Sequence, residues 1–209
     1  MKRLLIFDFD GTLFRLDVDW NSLRHELHAY FSERGVEITF RPLWENIFRA
    51  VDSVSPGKKK AMSDVRAIVE GVEMRNIDKV VEMPGATSTL KLLKERGFRM
   101  AVLSCNGRLC IERTLKKFGV LEYFDAIVTR DDEFEIKPSP AAVEHLLKKF
   151  GVRKQDAVMI GDGWRDLEVA RKSGIMSVIV SQGGHDEGLI NKPDHVIKNI
   201  GELLEILGV

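Results

Sequence analysis

Near its start the chain carries Asp8-Phe9-Asp10-Gly11-Thr12, directly after the apolar run Leu4-Leu5-Ile6-Phe7. Such a run is the mark of a buried parallel strand. The two carboxylates then sit where that strand ends, and Gly11 lets the chain turn away at once. In an open α/β sheet, ligands bind in the crevice beyond the carboxyl ends of the strands. Two negative charges this close repel unless a cation or a proton stands between them. Alone, the pair also fits a strand end with a solvated Asp and an Asp-Gly turn. The rest of the chain decides.

Three later positions bear on that choice. Ser104 follows the apolar run Met100-Ala101-Val102-Leu103, where a hydroxyl can donate to an anionic oxygen. Lys137, in Lys137-Pro138-Ser139-Pro140, puts an ammonium just before a predicted helix start, and both favour an anion. Gly161-Asp162-Gly163-Trp164-Arg165-Asp166 follows the strand-like Val158-Met159-Ile160. Asp162 would end that strand, and Asp166, four residues on, would lie in the first helical turn and face the same crevice. Each of these has an ordinary structural explanation by itself: a polar strand end, a surface lysine, an N-cap, an acid near a helix dipole. Together they place Asp8, Asp10, Asp162 and Asp166 on one edge, balanced by Lys137. An all-carboxylate cluster calls for a hard cation such as Mg²⁺, and the lack of His or Cys in it argues against zinc.

The elements that must hold these residues are legible as alternating textures. Strands are expected at Leu4–Phe7, Met100–Ser104, Ala126–Thr129, Ala157–Gly161, Ser177–Ser181 and His195–Ile197. Between them lie helix patterns at Gly85–Arg96, Leu109–Phe118, Pro140–Phe150 (with Ser139 as its expected N-cap) and Arg165–Lys172. Strands alternating with helices imply βαβ units and a parallel sheet, an α/β fold. From Asp17 to Glu82 the texture changes. Trp20, Leu23, Leu27, Tyr30 and Phe31 recur at helical spacing after Asp19, an expected N-cap. Trp44, Ile47, Phe48 and Val51 form a second stripe, Met62, Val65, Val69 and Val72 a third, and Ile77–Val81 a short fourth. The expected division is therefore a core of 1–16 and 83–209 around a helical insert, 17–82.

Lys plus Arg and Asp plus Glu number 32 each, so the formal net charge is zero. That argues against a broad nucleic-acid or anionic-membrane surface, but not against a small anionic substrate. No apolar run approaches membrane-spanning length, and the stretch after Met1-Lys2-Arg3 ends at Asp8, too early for a signal peptide. Cys105 and Cys110 share one short segment and suggest no disulfide framework, so a cytoplasmic location is expected. A charged fraction of 31% with glutamine only at Gln155 and Gln182 is consistent with a thermophile. Monomer and dimer both stay open.

With these residues in order, the chain resembles the haloacid dehalogenase (HAD) superfamily along nearly its whole length. The family's first motif appears as Ile6–Leu13, the second as Val102-Leu103-Ser104, the third as Lys137-Pro138, and the fourth as Gly161-Asp162 with Asp166. Pro84-Gly85 and Lys137-Pro138-Ser139-Pro140 resemble the phosphoglycolate-phosphatase-like branch. The resemblance implies a Rossmann-like parallel sheet core with an inserted helical cap domain that closes to exclude water and select the substrate. It implies a Mg²⁺-dependent phosphatase acting on a small phosphorylated metabolite through an aspartyl-phosphate. Asp8 would be the nucleophile and Asp10 the acid and base. Ser104 and Lys137 would hold the phosphoryl group. Asp8, the main-chain carbonyl of Asp10, Asp162 and Asp166 would serve the metal.

Asp10 discriminates further. The family's dehalogenases lack an acid two residues after the nucleophile and its ion-pumping ATPases carry Thr there, so Asp10 favours phosphoester hydrolysis. A sugar-phosphate phosphomutase of the β-phosphoglucomutase kind keeps both acids and stays open as the alternative; a dehalogenase or a non-enzymatic phospholigand-binding module ranks lower. One departure concerns the second motif, where relatives place Asn directly after the hydroxyl. Here Cys105 intervenes and Asn106 follows, so Asn106 is the candidate for steadying the phosphate. Cys105 itself reads as small packing. His25 and His28 lie opposite the apolar stripe of their helix and read as exposed rather than as a metal pair. Arg15 reads as a snorkelling residue at the hinge, and His185 as part of a loop on the active edge.

Overall fold

A computed structural model of the protein describes residues 4–181 and 191–209; His185 lies outside the described residues. The described chain divides into two compact units, 1–16 with 80–209 and 17–79.

The first unit is built on a six-stranded, all-parallel sheet, an α/β Rossmann-like arrangement. Its strands are β1 (Leu4–Phe7), β4 (Arg99–Leu103), β5 (Ala126–Val128), β6 (Ala157–Gly161), β7 (Met176–Val180) and β8 (His195–Ile197), in the order β5-β4-β1-β6-β7-β8. β1 is central, with Phe7 level with Val102 on one side and Ile160 on the other. All four of its residues are fully buried, as an unbroken Leu-Leu-Ile-Phe run requires when helices cover both faces. On one face Leu4 and Ile6 join a cluster with Val143 and Leu146 of α6 (Ala141–Phe150) and Val169 and Ala170 of α7 (Trp164–Ser173). On the other, Phe7 meets Phe124 edge-on, ring centroids 6.3 Å apart. Helices α4 (Ala86–Glu95), α5 (Arg108–Lys117) and α8 (Leu203–Leu207) also belong to the unit.

Two short strands had no periodic signature in the sequence. β2 (Phe14–Arg15) and β3 (Val81–Glu82) pair antiparallel, Phe14 opposite Glu82 and Arg15 opposite Val81. They belong to the first unit, so the boundary falls at 79/80 rather than at Glu82; a two-residue strand is too short to show alternation. Ile77–Lys79 is a single 3₁₀ turn. The predicted cap of α6 also differs. The helix begins at Ala141, and Pro140 stands at the N-cap with no side-chain hydrogen bond.

The second unit holds α1 (Trp20–Ser32), α2 (Leu43–Ser53) and α3 (Lys58–Arg75). Asp19 caps α1 as expected, its carboxylate accepting from the main-chain N–H of Asn21 and Ser22 at 3.1 and 2.9 Å. Leu23, Leu27 and Phe31 are fully buried with Ile47 and Val65, whereas Trp20 and Phe48 stay about 40% exposed despite their places in the stripes. Arg75 of α3 grips Glu26 of α1 with both guanidinium branches, at 2.6 and 3.0 Å.

Candidate active site

The carboxyl ends of three adjacent strands build the site. Asp8 follows β1, and its N–H donates to the Ile160 carbonyl at 2.8 Å, extending the ladder one step past the strand. Beyond it the chain folds back sharply. Leu13 and Phe14 both donate to the Phe9 carbonyl at 3.0 Å, and Gly11 donates to Phe14 at 2.7 Å. Gly11 carries the turn at φ +85°. A Cβ there would run into the Asp162 carboxylate, so both the dihedral and the space demand glycine. The tight turn also delivers Asp10, whose Oδ1 accepts from the Leu16 N–H at 2.8 Å. Asp10 thus has a main-chain anchor of its own.

Lys137 reaches the same point from the segment before α6. It is 4% exposed, and its Nζ lies 2.7 Å from Asp8 Oδ1 and 2.5 Å from Asp166 Oδ1. This is no surface charge. Burial works against the ammonium, but the Asp166 and Asp8 carboxylates outweigh it and raise its pKa. Asp166 has a second duty, since its Oδ2 accepts from the Gly163 N–H at 3.1 Å and closes the first turn of α7. Its packing is tight enough that a Cβ on Gly161 would strike its side chain.

Asp8, Asp162 and Asp166 each offer a carboxylate oxygen within 4.8 Å of the others. Burial pushes Asp8 up to about 7, helped by Asp166 and Asp162 and opposed by Lys137. Burial likewise pushes Asp162 up to about 6, with Asp166 and Asp10 adding to it. Among the described residues Lys137 is the one cation in direct contact with these acids, against three carboxylates. An all-oxygen, acidic donor set with that deficit fits Mg²⁺. Asp10 directs its side chain elsewhere, towards Leu16 N, and is not among the three clustered carboxylates.

Ser104 directly follows β4, buried, with its N–H on the Val128 carbonyl at 3.0 Å. Its hydroxyl donates to Asn106 Oδ1 at 2.8 Å, and the Asn106 N–H returns a contact to Ser104 Oγ at 3.2 Å. The one-residue insertion of Cys105 therefore still brings Asn106 against the hydroxyl. Cys105 is partly exposed; burial raises its thiol pKa, against the pull of Lys137.

The support behind this loop was not singled out from sequence. Arg130, buried after β5, donates from its N–H to Asn106 O and from Nη1 to Cys105 O, both at 3.4 Å. Asp132 accepts from Thr129 N at 2.7 Å and from Arg108 Nη2 at 2.8 Å, and Asp131 accepts from Arg108 N at 2.8 Å. The acidic and basic run Arg130-Asp131-Asp132 at a strand end was the available signal. Arg15 is exposed in β2.

The haloacid dehalogenase-like hydrolase family matches residues 5–180. The pyrophosphatase PpaX of Halalkalibacterium halodurans is 28% identical over 98% of this chain and 96% of its own length, and that of Bacillus pumilus 27% over 98% and 95%. Among solved structures, a predicted phosphoglycolate phosphatase from Haemophilus somnus superposes with a TM-score of 0.70 at 24% identity, covering 99% of this chain and 98% of that one. CbbY from Rhodobacter sphaeroides, in complex with xylulose-1,5-bisphosphate, superposes with a TM-score of 0.73 at 22% identity, covering 97% and 96%. With the family matched from the first strand to the end of the fifth strand of the main sheet, the chain belongs to the haloacid dehalogenase-like hydrolases and is an enzyme.

Proposed function

We propose that the protein is a Mg²⁺-dependent phosphatase that hydrolyses a small phosphomonoester through an aspartyl-phosphate. The observation that carries this reading is the placing of Asp8 and Asp10. Asp8 lies in an ion pair with buried Lys137, while Asp10 is held separately by Leu16 N. One acid is poised as nucleophile beside the ammonium, and its neighbour, anchored on the main chain, is placed for proton transfer.

In the first step an Asp8 carboxylate oxygen attacks phosphorus and the bond to the leaving alcohol breaks, with Asp10 giving that oxygen a proton. In the second, Asp10 takes a proton from water as the water attacks the aspartyl-phosphate. Inorganic phosphate leaves and Asp8 is restored. Lys137 holds a phosphoryl oxygen and offsets charge, and Ser104 turns its hydroxyl from Asn106 to another. Asp8, Asp162 and Asp166 would hold Mg²⁺, with the Asp10 main-chain carbonyl as a further donor. When bound, the ion supplies positive charge against the carboxylates and the phosphoryl oxygens. Residues 17–79 serve as the family's cap and select the substrate.

The test is phosphate release from p-nitrophenyl phosphate and a panel of phosphorylated metabolites with Mg²⁺. Inorganic pyrophosphate belongs in the panel because of the PpaX relatives. Asp8→Asn is expected to lower turnover by at least about a thousandfold. Activity that survives EDTA, or an Asp8→Asn enzyme as fast as wild type, overturns the proposal. An isomerised sugar phosphate in place of free phosphate would assign the enzyme to the mutases.

A further inference from the structure

The helical unit has an open surface groove of its own. About 520 Å³ in volume, it lies between α1 and residues 37–41, within the size range of small-molecule sites. Its polar rim carries two arginines against one acid: Arg24, with His25 and His28, comes from α1, and Arg41 from the segment before α2. The single acid in the lining, Glu37, is engaged by His28, whose Nε2 lies 3.2 Å from its carboxylate. The other His28 nitrogen faces Ser32 Oγ at 3.3 Å. With both ring nitrogens committed, His28 is no metal ligand, and His25 and His28 take part in no cluster of metal-binding geometry among the described residues.

The two arginines are differently placed. Arg24 donates Nη1 to the Trp20 carbonyl at 3.1 Å and to Asn21 Oδ1 at 3.3 Å, which pins its head to its own helix. Its Nε is buried without a hydrogen-bond partner. Arg41 is exposed, and neither arginine is paired with a carboxylate among the described residues. Guanidinium groups suit phosphate because they present several donors in a fixed fork. Below them the wall is apolar: Ile38, and Phe40, which is buried against Phe31 with ring centroids 5.7 Å apart.

We propose that this groove is a second, non-catalytic site that binds a small organic phosphate, the phosphate on Arg24 and Arg41 and an apolar body on Ile38 and Phe40. It is independent of the activity proposed for the carboxylate cluster.

Phenyl phosphate is the probe, titrated into the full chain in EDTA so that the ester is not turned over. The readout is local: the ring C–H signals of His25 and His28 in ¹H–¹³C spectra. Both are expected to move saturably at millimolar ester, while phenol leaves them in place. The double variant Arg24→Gln/Arg41→Gln is expected to weaken binding by at least about tenfold, about 1.4 kcal/mol. Should that variant misfold, Arg41→Gln alone, at an exposed and unpaired position, carries the same test. Histidine signals that do not saturate, or that move equally in the variants, overturn the proposal whatever the outcome of the phosphatase assay.

Discussion

Gly11 and Asp162 stand so close across the end of the sheet that the smallest side chain on the glycine would collide with the carboxylate. The turn after the first strand and the acid after the fourth strand of the main sheet are thus fitted to each other, although 150 residues of chain separate them.

Gly11→Ala should therefore damage the proposed Mg²⁺ site before it damages the fold. The left-handed backbone at φ +85° costs an alanine about 1–2 kcal/mol, and Asp162 must also move. The expected result is a modest loss in urea unfolding, with Mg²⁺ affinity weakened by at least about tenfold. Calorimetric titration with Mg²⁺ against the parallel denaturation curve separates the two effects.

Removing Lys137 should do the opposite. Its ammonium is the counter-charge shared by buried Asp8 and Asp166. Lys137→Ala leaves two facing acids, a loss of about 3–5 kcal/mol for a broken buried pair. Because protonation of Asp8 relieves the repulsion, the loss should shrink as the pH falls. Urea unfolding of wild type and variant across acid to neutral pH measures it.

The acids also set a pH dependence for the metal-free protein. Folding raises Asp8 from 3.8 to about 7 and Asp162 from 3.8 to about 6. Between these limits the folded state binds more protons than the unfolded chain, so stability falls as pH rises. This contribution is fully present below pH 3.8 and is lost by about pH 7, where both groups have ionised in the folded state. Mg²⁺ at the proposed site would compete with those protons. The rise in melting temperature on adding Mg²⁺ should grow steadily from acid to neutral pH, and thermal scans with and without the ion read it directly.

Asp10→Asn tests proton transfer apart from structure. The amide oxygen can still accept from Leu16 N, so the melting temperature should hold. Turnover of alkyl phosphates should fall by about a hundredfold or more. The loss should be smaller for p-nitrophenyl phosphate, whose leaving group needs little protonation. Equal losses for both leaving groups would count against Asp10 as the acid.

The strands of the main sheet were legible because parallel strands buried on both faces must be apolar throughout, and Leu4–Phe7 and Ala157–Gly161 are. The convergence of Asp8, Asp162 and Asp166 could be read from motif order, since each follows a strand end or opens a helix. The depth of Lys137 could not. It comes from a segment without periodicity, and its burial depends on acids 129 and 29 residues away. The double engagement of Asp166, and the bracing of Ser104–Asn106 by Arg130, are likewise tertiary and leave no local pattern. Trp20 and Phe48 fall in apolar stripes yet stay about 40% exposed, for the converse reason. Helical spacing identifies a face, but how far it is covered depends on the neighbouring elements.

The pairing of Phe14–Arg15 with Val81–Glu82 means that the core itself clamps the two ends of the intervening chain side by side. Entry and exit are supplied by the host and need not be supplied by the guest. Residues 17–79 thus behave as a cassette: another folded segment with adjacent termini, or a short turn, could take their place without re-registering a strand of the main sheet. The inserted unit can therefore be exchanged while the carboxylate cluster at the sheet edge stays untouched.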